Sequence, residues 1–561
     1  MVIATLIAGL MTLAWSISDW LRLSALILPD PDDMMRLVQI RDWIGGQAFG
    51  DMTQARLGGG LAMHWSRLPD LIPAALILAL EPLAGRHGAE LAAVIAWPAM
   101  LFAATLALLA SVARRLAGSA QAGMVALLLG ALAYPATGFF TPVRIDHHWL
   151  QLVLLLVSAR ALLAAPSRRA GVAIGLAVAA SLAIGLESAP LCALVLAALA
   201  LRWAMEGGAR TGMLAATGAA LSGGTALAAL VLAPRIWPAG LCDAFTPPVA
   251  WMAMLAGALL AGVSLLPGLH APARRLAALA VSGVALLAAA PWLAPACLAG
   301  PYGAVSPLLR ALWLDHVAEA QPLLGTPLLV VIGYAGLMFA GLAVATLRAV
   351  RDPRDRDALS WLALLAGAVA LSCIQLRLAP FGAALAVPVL AELVTRVRAK
   401  GRPLATVAAW AASAGILYPL AAAALPVPRP AEPVRADCLT PDNLGRIAAL
   451  GPGMIAAPLD MGTYIVAASN QSVLAAPYHR NGAANLAHYR LFLGQPVTAQ
   501  AEARRWKLRA IAYCPGWVED LDLAGGAAPG SIVALAGQGR TPDWTRVVHR
   551  APGLVILEPR R

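Results

Sequence analysis

Apolar residues occupy the first 426 positions in blocks of about 17–25, the length that crosses a bilayer as an α-helix. The blocks lie near 3–28, 88–112, 121–140, 149–165, 170–186, 188–204, 212–232, 249–268, 275–296, 326–347, 359–375, 378–396 and 404–426. They predict about thirteen transmembrane helices, with tight hairpins around 186 and 377. At "LPVPRPAEPVR" prolines end the last block and the pattern changes. Short β-like runs ("GMIAAP", "SVLAAP", "AIAYC") then alternate with amphipathic stretches as far as Arg561, which predicts a small α/β domain. The expected division is 1–427 for the membrane domain and 428–561 for the α/β domain. Outer loops are expected at 29–87 and 297–325.

Composition agrees with a lipid environment: 60% of the 561 residues are hydrophobic, 12% are charged, and mean hydropathy is +0.74. The net charge of +12 comes from short basic loops such as Arg114-Arg115, Arg168-Arg169, Arg274-Arg275, "RAVRDPRDR" and "TRVRAKGR". Such loops are held on the cytoplasmic side, so the charge reports topology and not nucleic-acid binding. With an inside N-terminus and an odd number of spans, the α/β domain lies outside. Asp30, Asp146, Glu319 and Arg377 then all fall at the outer face. The first block is followed directly by polar chemistry, with no small-residue cleavage site, and reads as a retained helix. The expected location is the bacterial inner (plasma) membrane.

The six cysteines include no CxxC pair. Cys192, Cys242, Cys297 and Cys373 sit in or beside apolar blocks and are expected to act as small hydrophobes. Cys438 and Cys514 can pair if their domain is extracytoplasmic.

Three acidic clusters interrupt the apolar pattern: "LPDPDDMMR" (28–36), "RIDHHW" (144–149) and "LDHVAEAQP" (314–322). Each has a plain explanation by itself. Asp30, Asp32 and Asp33 suit a helix N-cap and first turn. Asp146 and His148 suit a local hydrogen bond, and Asp315 and Glu319 the wet face of a loop helix. Gathered on one face, carboxylates and an imidazole also suit a divalent metal, Mn²⁺ or Mg²⁺.

In order and placement these motifs resemble the catalytic subunits of oligosaccharyltransferases, membrane glycosyltransferases of the GT-C fold. Asp30, Pro31 and Arg36 match the Asp-Pro-x-x-x-x-Arg of the family's first outer loop. Asp146, His147 and His148 match its second acidic motif in the Asp-His-His form. Glu319, Gln321 and Pro322 match loosely its Ser-Val-Ser-Glu-His-Gln-Pro loop, and Gln375 with Arg377 its Gln-x-Arg.

The resemblance implies a polytopic GT-C membrane protein with an outer C-terminal domain. It implies transfer of a glycan from a polyprenyl-(pyro)phosphate donor to an extracytoplasmic protein or glycan acceptor, with inversion at the anomeric carbon. Asp30, Asp146 and His148 would hold the metal, with Asp30, Arg36 and Glu319 catalytic. Arg377 would hold the donor phosphate, because a planar guanidinium suits phosphate oxygens. Asp460, Gly462 and Gln321 would lie on the acceptor side.

The sequence also departs from the family. The acceptor-reading Trp-Trp-Asp-Tyr-Gly is represented only by "PLDMGTY" (458–464), without either tryptophan. The alternative activity is a monosaccharide transferase of the same fold acting on lipid or polysaccharide. A lipid-sugar flippase would bury charge at mid-span and show paired halves, and neither is seen. His64 and Trp65 are expected to pack the first loop, and Tyr478–Asn481 to form a solvated turn.

Overall fold

The computed structural model describes residues 1–232, 240–300, 302–425, 438–522 and 525–560. The proposed boundary at 427/428 lies outside the described residues. Each expected apolar block coincides with helix, as in Val2–Ser18, His148–Leu162, Arg168–Ile184 and Arg356–Ser372. Seven described helices are long and apolar enough to cross a membrane. The pair Pro403–Ser413 and Leu417–Ala424, bent by 86°, makes eight if it is one span. The other apolar blocks are helical but shorter, such as Ala120–Ala131. The chain is a multi-pass membrane protein. The block expected to start at 88 begins earlier: helix runs from Leu71 to Ala117 and breaks at Gly85 (φ 67°, ψ 169°). Part of the expected first loop is therefore apolar helix.

Small residues let these helices approach closely, as they must where lipid is no worse a solvent than a neighbouring helix. Gly218 of Gly208–Leu232 lies against the backbone at Gly257 of Pro247–Leu265, and a Cβ on either would collide with it. At the face with the basic loops, arginines tie helix ends together. Arg348 pairs with Asp355 and Glu392, while Arg115 and Arg202 share Asp357.

The opposite face carries the first loop and the α/β domain. The loop contains the helix Pro31–Ile44 and a small antiparallel pair, β1 (Thr53–Gln54) and β2 (Leu61–Ala62). The α/β domain has β3 (Met454–Ala456), β4 (Ser472–Val473), β5 (Leu508–Tyr513), β6 (Thr545–Ala551) and β7 (Leu554–Pro559). Their order is β4-β3-β5-β7-β6, parallel across β4-β3-β5 and antiparallel across β5-β7-β6. The three β-like runs of the sequence are β3, β4 and β5.

The first loop is built into this domain. Leu57 forms a bridge to Val473 at the edge of β4, flanked by Gly58 N–H donating to the Val473 carbonyl (2.9 Å) and Val473 N–H to the Arg56 carbonyl (2.8 Å). Arg41 and Arg56 donate to the carbonyls of Ala467, Val466 and Ser469, at the C-terminal end of the helix Leu459–Ala468. Cations at a helix C-terminus are favourable.

Two expectations need correction here. Cys242 and Cys297 are not packing residues but a disulfide, because the chain brings their two loops together across 55 positions. Cys438 and Cys514 are also bonded, and Cys192 and Cys373 are free. Tyr478–Asn481 is not a solvated turn. Arg480 forks onto Asp243, next to Cys242, and His479 Nε2 lies 2.6 Å from the same carboxylate. The partner lies 237 positions away, so local polarity gave no sign of it.

Candidate active site

Asp30 starts the helix Pro31–Ile44 as its N-cap, its carboxylate accepting from Asp32 N–H at 2.9 Å. Proline at the first helical position suits this start, since its missing N–H has no partner there anyway. One turn on, buried Asp33 accepts the backbone N–H groups of Ile145 and Asp146, both at 2.8 Å. The two acidic motifs are thereby fixed to one another. Arg144 joins them further: Nη1 lies 3.1 Å from Asp30 and Nε 3.2 Å from Asp33, with the guanidinium 4.9 Å above the Trp149 ring.

Asp146 is held by two imidazoles. His147 Nδ1 lies 2.6 Å from one carboxylate oxygen, and His148 Nδ1 is bonded to the other. Asp146, His147 and His148 bring ligand-type atoms within 4.8 Å of one another. His148 Nε2 is buried without a hydrogen-bond partner among the described residues. An imidazole oriented through one nitrogen by a carboxylate, with the other nitrogen free, is the arrangement seen at metal-binding histidines.

Burial pushes the Asp33 carboxyl up to about 8, with Asp30 and Asp146 adding to it against Arg144. Burial also raises Asp32 well above the ordinary carboxylate range, reinforced by Asp30 and Asp146. Such a surplus of carboxylate fits a divalent cation, which lowers their mutual repulsion. The residues present therefore fit a metal.

Asp30, Asp146 and His148 open onto a cavity of about 590 Å³ on the side of the α/β domain. Glu319, Arg377 and Asp460 line it as well. Arg377 finds its partners on a distant loop. Its Nη2 lies 3.3 Å from Glu319 and donates to the Tyr302 hydroxyl at 3.1 Å. The loop carrying Glu319 is fastened beside it by Leu376 N–H donating to the Gln321 carbonyl (2.8 Å). Trp313, Tyr489 and Trp517 form aromatic walls on the α/β-domain side.

Three expected site residues do not line the cavity. Arg36 is fully buried, donating to Asp70 and the Ser66 carbonyl at 3.1 Å and stacking 4.5 Å over Trp65. It touches the site only through His147 Nδ1, at 3.3 Å. Gly462 packs the helix Leu459–Ala468 onto the Ala475 carbonyl, where a Cβ would collide. Gln321 turns its amide to the Asp315 carbonyl. His64 and Trp65 pack against Tyr478, as expected of the loop.

Sequence reasoning missed Glu187. It lies in the turn between Arg168–Ile184 and Ala189–Glu206, 3.4 Å from His147 Nε2. Its one signal in the sequence is an acid after an odd-numbered apolar block.

No protein-family model and no curated protein matches the sequence. Similar solved structures exist. The oligosaccharyltransferase of Archaeoglobus fulgidus in its apo form superposes with a TM-score of 0.67 at 13% identity, over 92% of this chain and 69% of that one. The same enzyme with zinc and sulfate gives 0.64 at 13% identity, over 100% and 73%. Its complex with an inhibitory peptide and a dolichol-phosphate gives 0.65 at 13% identity, over 92% and 69%. At this identity the likeness concerns the fold: the chain has the GT-C fold of the archaeal oligosaccharyltransferase, with the α/β domain set against the first loop.

Proposed function

We propose that the protein is a membrane glycosyltransferase that moves a glycan from a polyprenyl-(pyro)phosphate donor to an extracytoplasmic acceptor, protein or glycan. The observation that supports this most is the single outer-face cavity shared by Asp30, Asp146, His148, Glu319, Arg377 and Asp460. The dolichol-phosphate complex and the zinc-and-sulfate complex of the archaeal enzyme point the same way.

The reaction is a displacement at the anomeric carbon. The acceptor forms its bond on one face as the bond to the lipid phosphate breaks on the other, which inverts the centre. Negative charge grows on the departing phosphate, and Arg377 meets it with a two-pronged cation. Asp30, Asp146 and His148 would hold a divalent ion, which supplies Lewis-acid stabilisation of that charge. Glu319 orients the acceptor and takes its proton. Asp460 enters from the α/β domain and contacts the acceptor. Arg36 and Gly462 act structurally in this scheme.

A deletion strain tests the reading. Mass spectrometry should show a polyprenyl-linked glycan accumulating and a surface glycan or glycoprotein lost, both restored by the wild-type gene and not by Arg377→Ala. Unchanged lipid-linked and surface glycans would overturn it.

A further inference from the structure

Glu187 belongs to none of the motifs and does not line the cavity, yet it packs behind the Asp146–His148 pair through His147. Its carboxylate lies 3.4 Å from His147 Nε2, while His147 Nδ1 lies 2.6 Å from Asp146. The ring therefore lies between two carboxylates: Asp146 is hydrogen-bonded to Nδ1, and Glu187 sits at ion-pair distance from Nε2, which makes no hydrogen bond among the described residues. His147 is 2% exposed and stacks on the His148 ring at 4.3 Å between centroids. Arg36 closes the Nδ1 side at 3.3 Å.

Glu187 is itself held from behind. Gln151 Nε2 reaches its carboxylate at 3.4 Å and the Gly185 carbonyl at 3.0 Å. Gly185 leaves the space it needs: a Cβ there would collide with the Glu187 carboxylate and lie 3.2 Å from His147 Nε2.

We propose that Glu187 is a positioning residue that acts through His147 to fix the Asp146 carboxylate for the divalent ion. The inference rests on the metal-assisted reading above. An imidazole bonded at one nitrogen can swing about that bond, and a carboxylate at ion-pair distance from the other nitrogen opposes the swing. Asp146 has both oxygens engaged by imidazoles, so a swing of His147 moves the carboxylate. Outer partners of this kind set metal affinity by about 10–100-fold.

Mn²⁺ is the probe, titrated into the purified full chain in nanodiscs and read by electron paramagnetic resonance. Wild type should bind. Glu187→Ala and Glu187→Asp, which is too short to reach His147, should weaken binding about 10–100-fold. Glu187→Gln keeps the length but loses the charge and should fall between wild type and Glu187→Asp. Gly185→Ala, which displaces the carboxylate, should weaken binding as well. The thermal midpoints of the Asp and Gln variants should match wild type, which separates positioning from folding. Equal Mn²⁺ affinity in wild type and Glu187→Asp overturns the role of Glu187 and leaves the metal reading standing. Wild type that binds no Mn²⁺ overturns both.

Discussion

Glu319 and Arg377, 58 positions apart in the sequence, meet at 3.3 Å in the lining of the cavity. The arginine is mostly buried and the carboxylate mostly exposed, so the pair draws the 314–322 loop down onto the guanidinium. On the proposed reading, an anionic donor arriving at Arg377 would compete with Glu319 for the same cation. Replacing that rival with a neutral amide should help the donor bind while removing the group that serves the acceptor. Glu319→Gln is expected to lower the KM for donor and to lower kcat as well. A raised donor KM would count against the shared cation.

Arg377→Ala should cut turnover at limiting donor by about 10²–10³-fold, the usual cost of losing one charge-stabilising group. Arg377→Lys should recover only part of it, since lysine keeps the charge but loses the fork. Full activity of Arg377→Ala with the native donor would show that the arginine serves only to anchor the loop.

Asp460→Ala should alter acceptor use and leave Mn²⁺ binding untouched, because Asp460 reaches the cavity from the α/β domain. Asp146→Ala should do the reverse and abolish Mn²⁺ binding. Parallel metal titrations and acceptor saturation curves on the two variants separate these outcomes.

The α/β domain should loosen in acid in two stages. Burial holds the His488 imidazole down to about 3, so its contribution is complete above the unfolded value near 6.5 and falls as pH drops toward 3. Burial would raise Asp243, but hydrogen bonds from Arg480 and His479 keep it below the ordinary range. Its contribution is complete above about pH 4 and is lost only below that. Thermal melts from pH 8 to 3 should decline first from about 6.5. Asp243→Asn, which leaves a buried guanidinium poorly paired, should cost about 3–5 kcal/mol.

Topology is open to a direct check. A reporter in the 348–356 loop and one after residue 560 should report opposite sides of the membrane. The same side for both would refute the placement of the α/β domain and of the cavity facing it.

The apolar blocks and the β-like runs were legible in the sequence because burial in lipid and in a sheet leaves periodic marks. The cavity was legible in large part too, since Asp30, Asp146, His148 and Arg377 each break an apolar pattern. Pairings across long separations left no such trace. Asp243 with Arg480, Cys242 with Cys297 and Glu187 with His147 are set by how loops meet in space. Arg36 is a related case: its motif spacing puts it next to the site, while its burial against Asp70 and Trp65, set by distant residues, keeps it out of the cavity lining.

Strand β4 is the outermost strand on its side of the sheet, and Leu57 of the first loop is bridged to it. Cut free of the membrane domain, the α/β domain would bare that strand, and raw sheet edges invite pairing with other copies. The same bridge gives the order of assembly a direction. The first loop is synthesised hundreds of residues before β4, so the docking ledge is in place before the sheet that will lean on it.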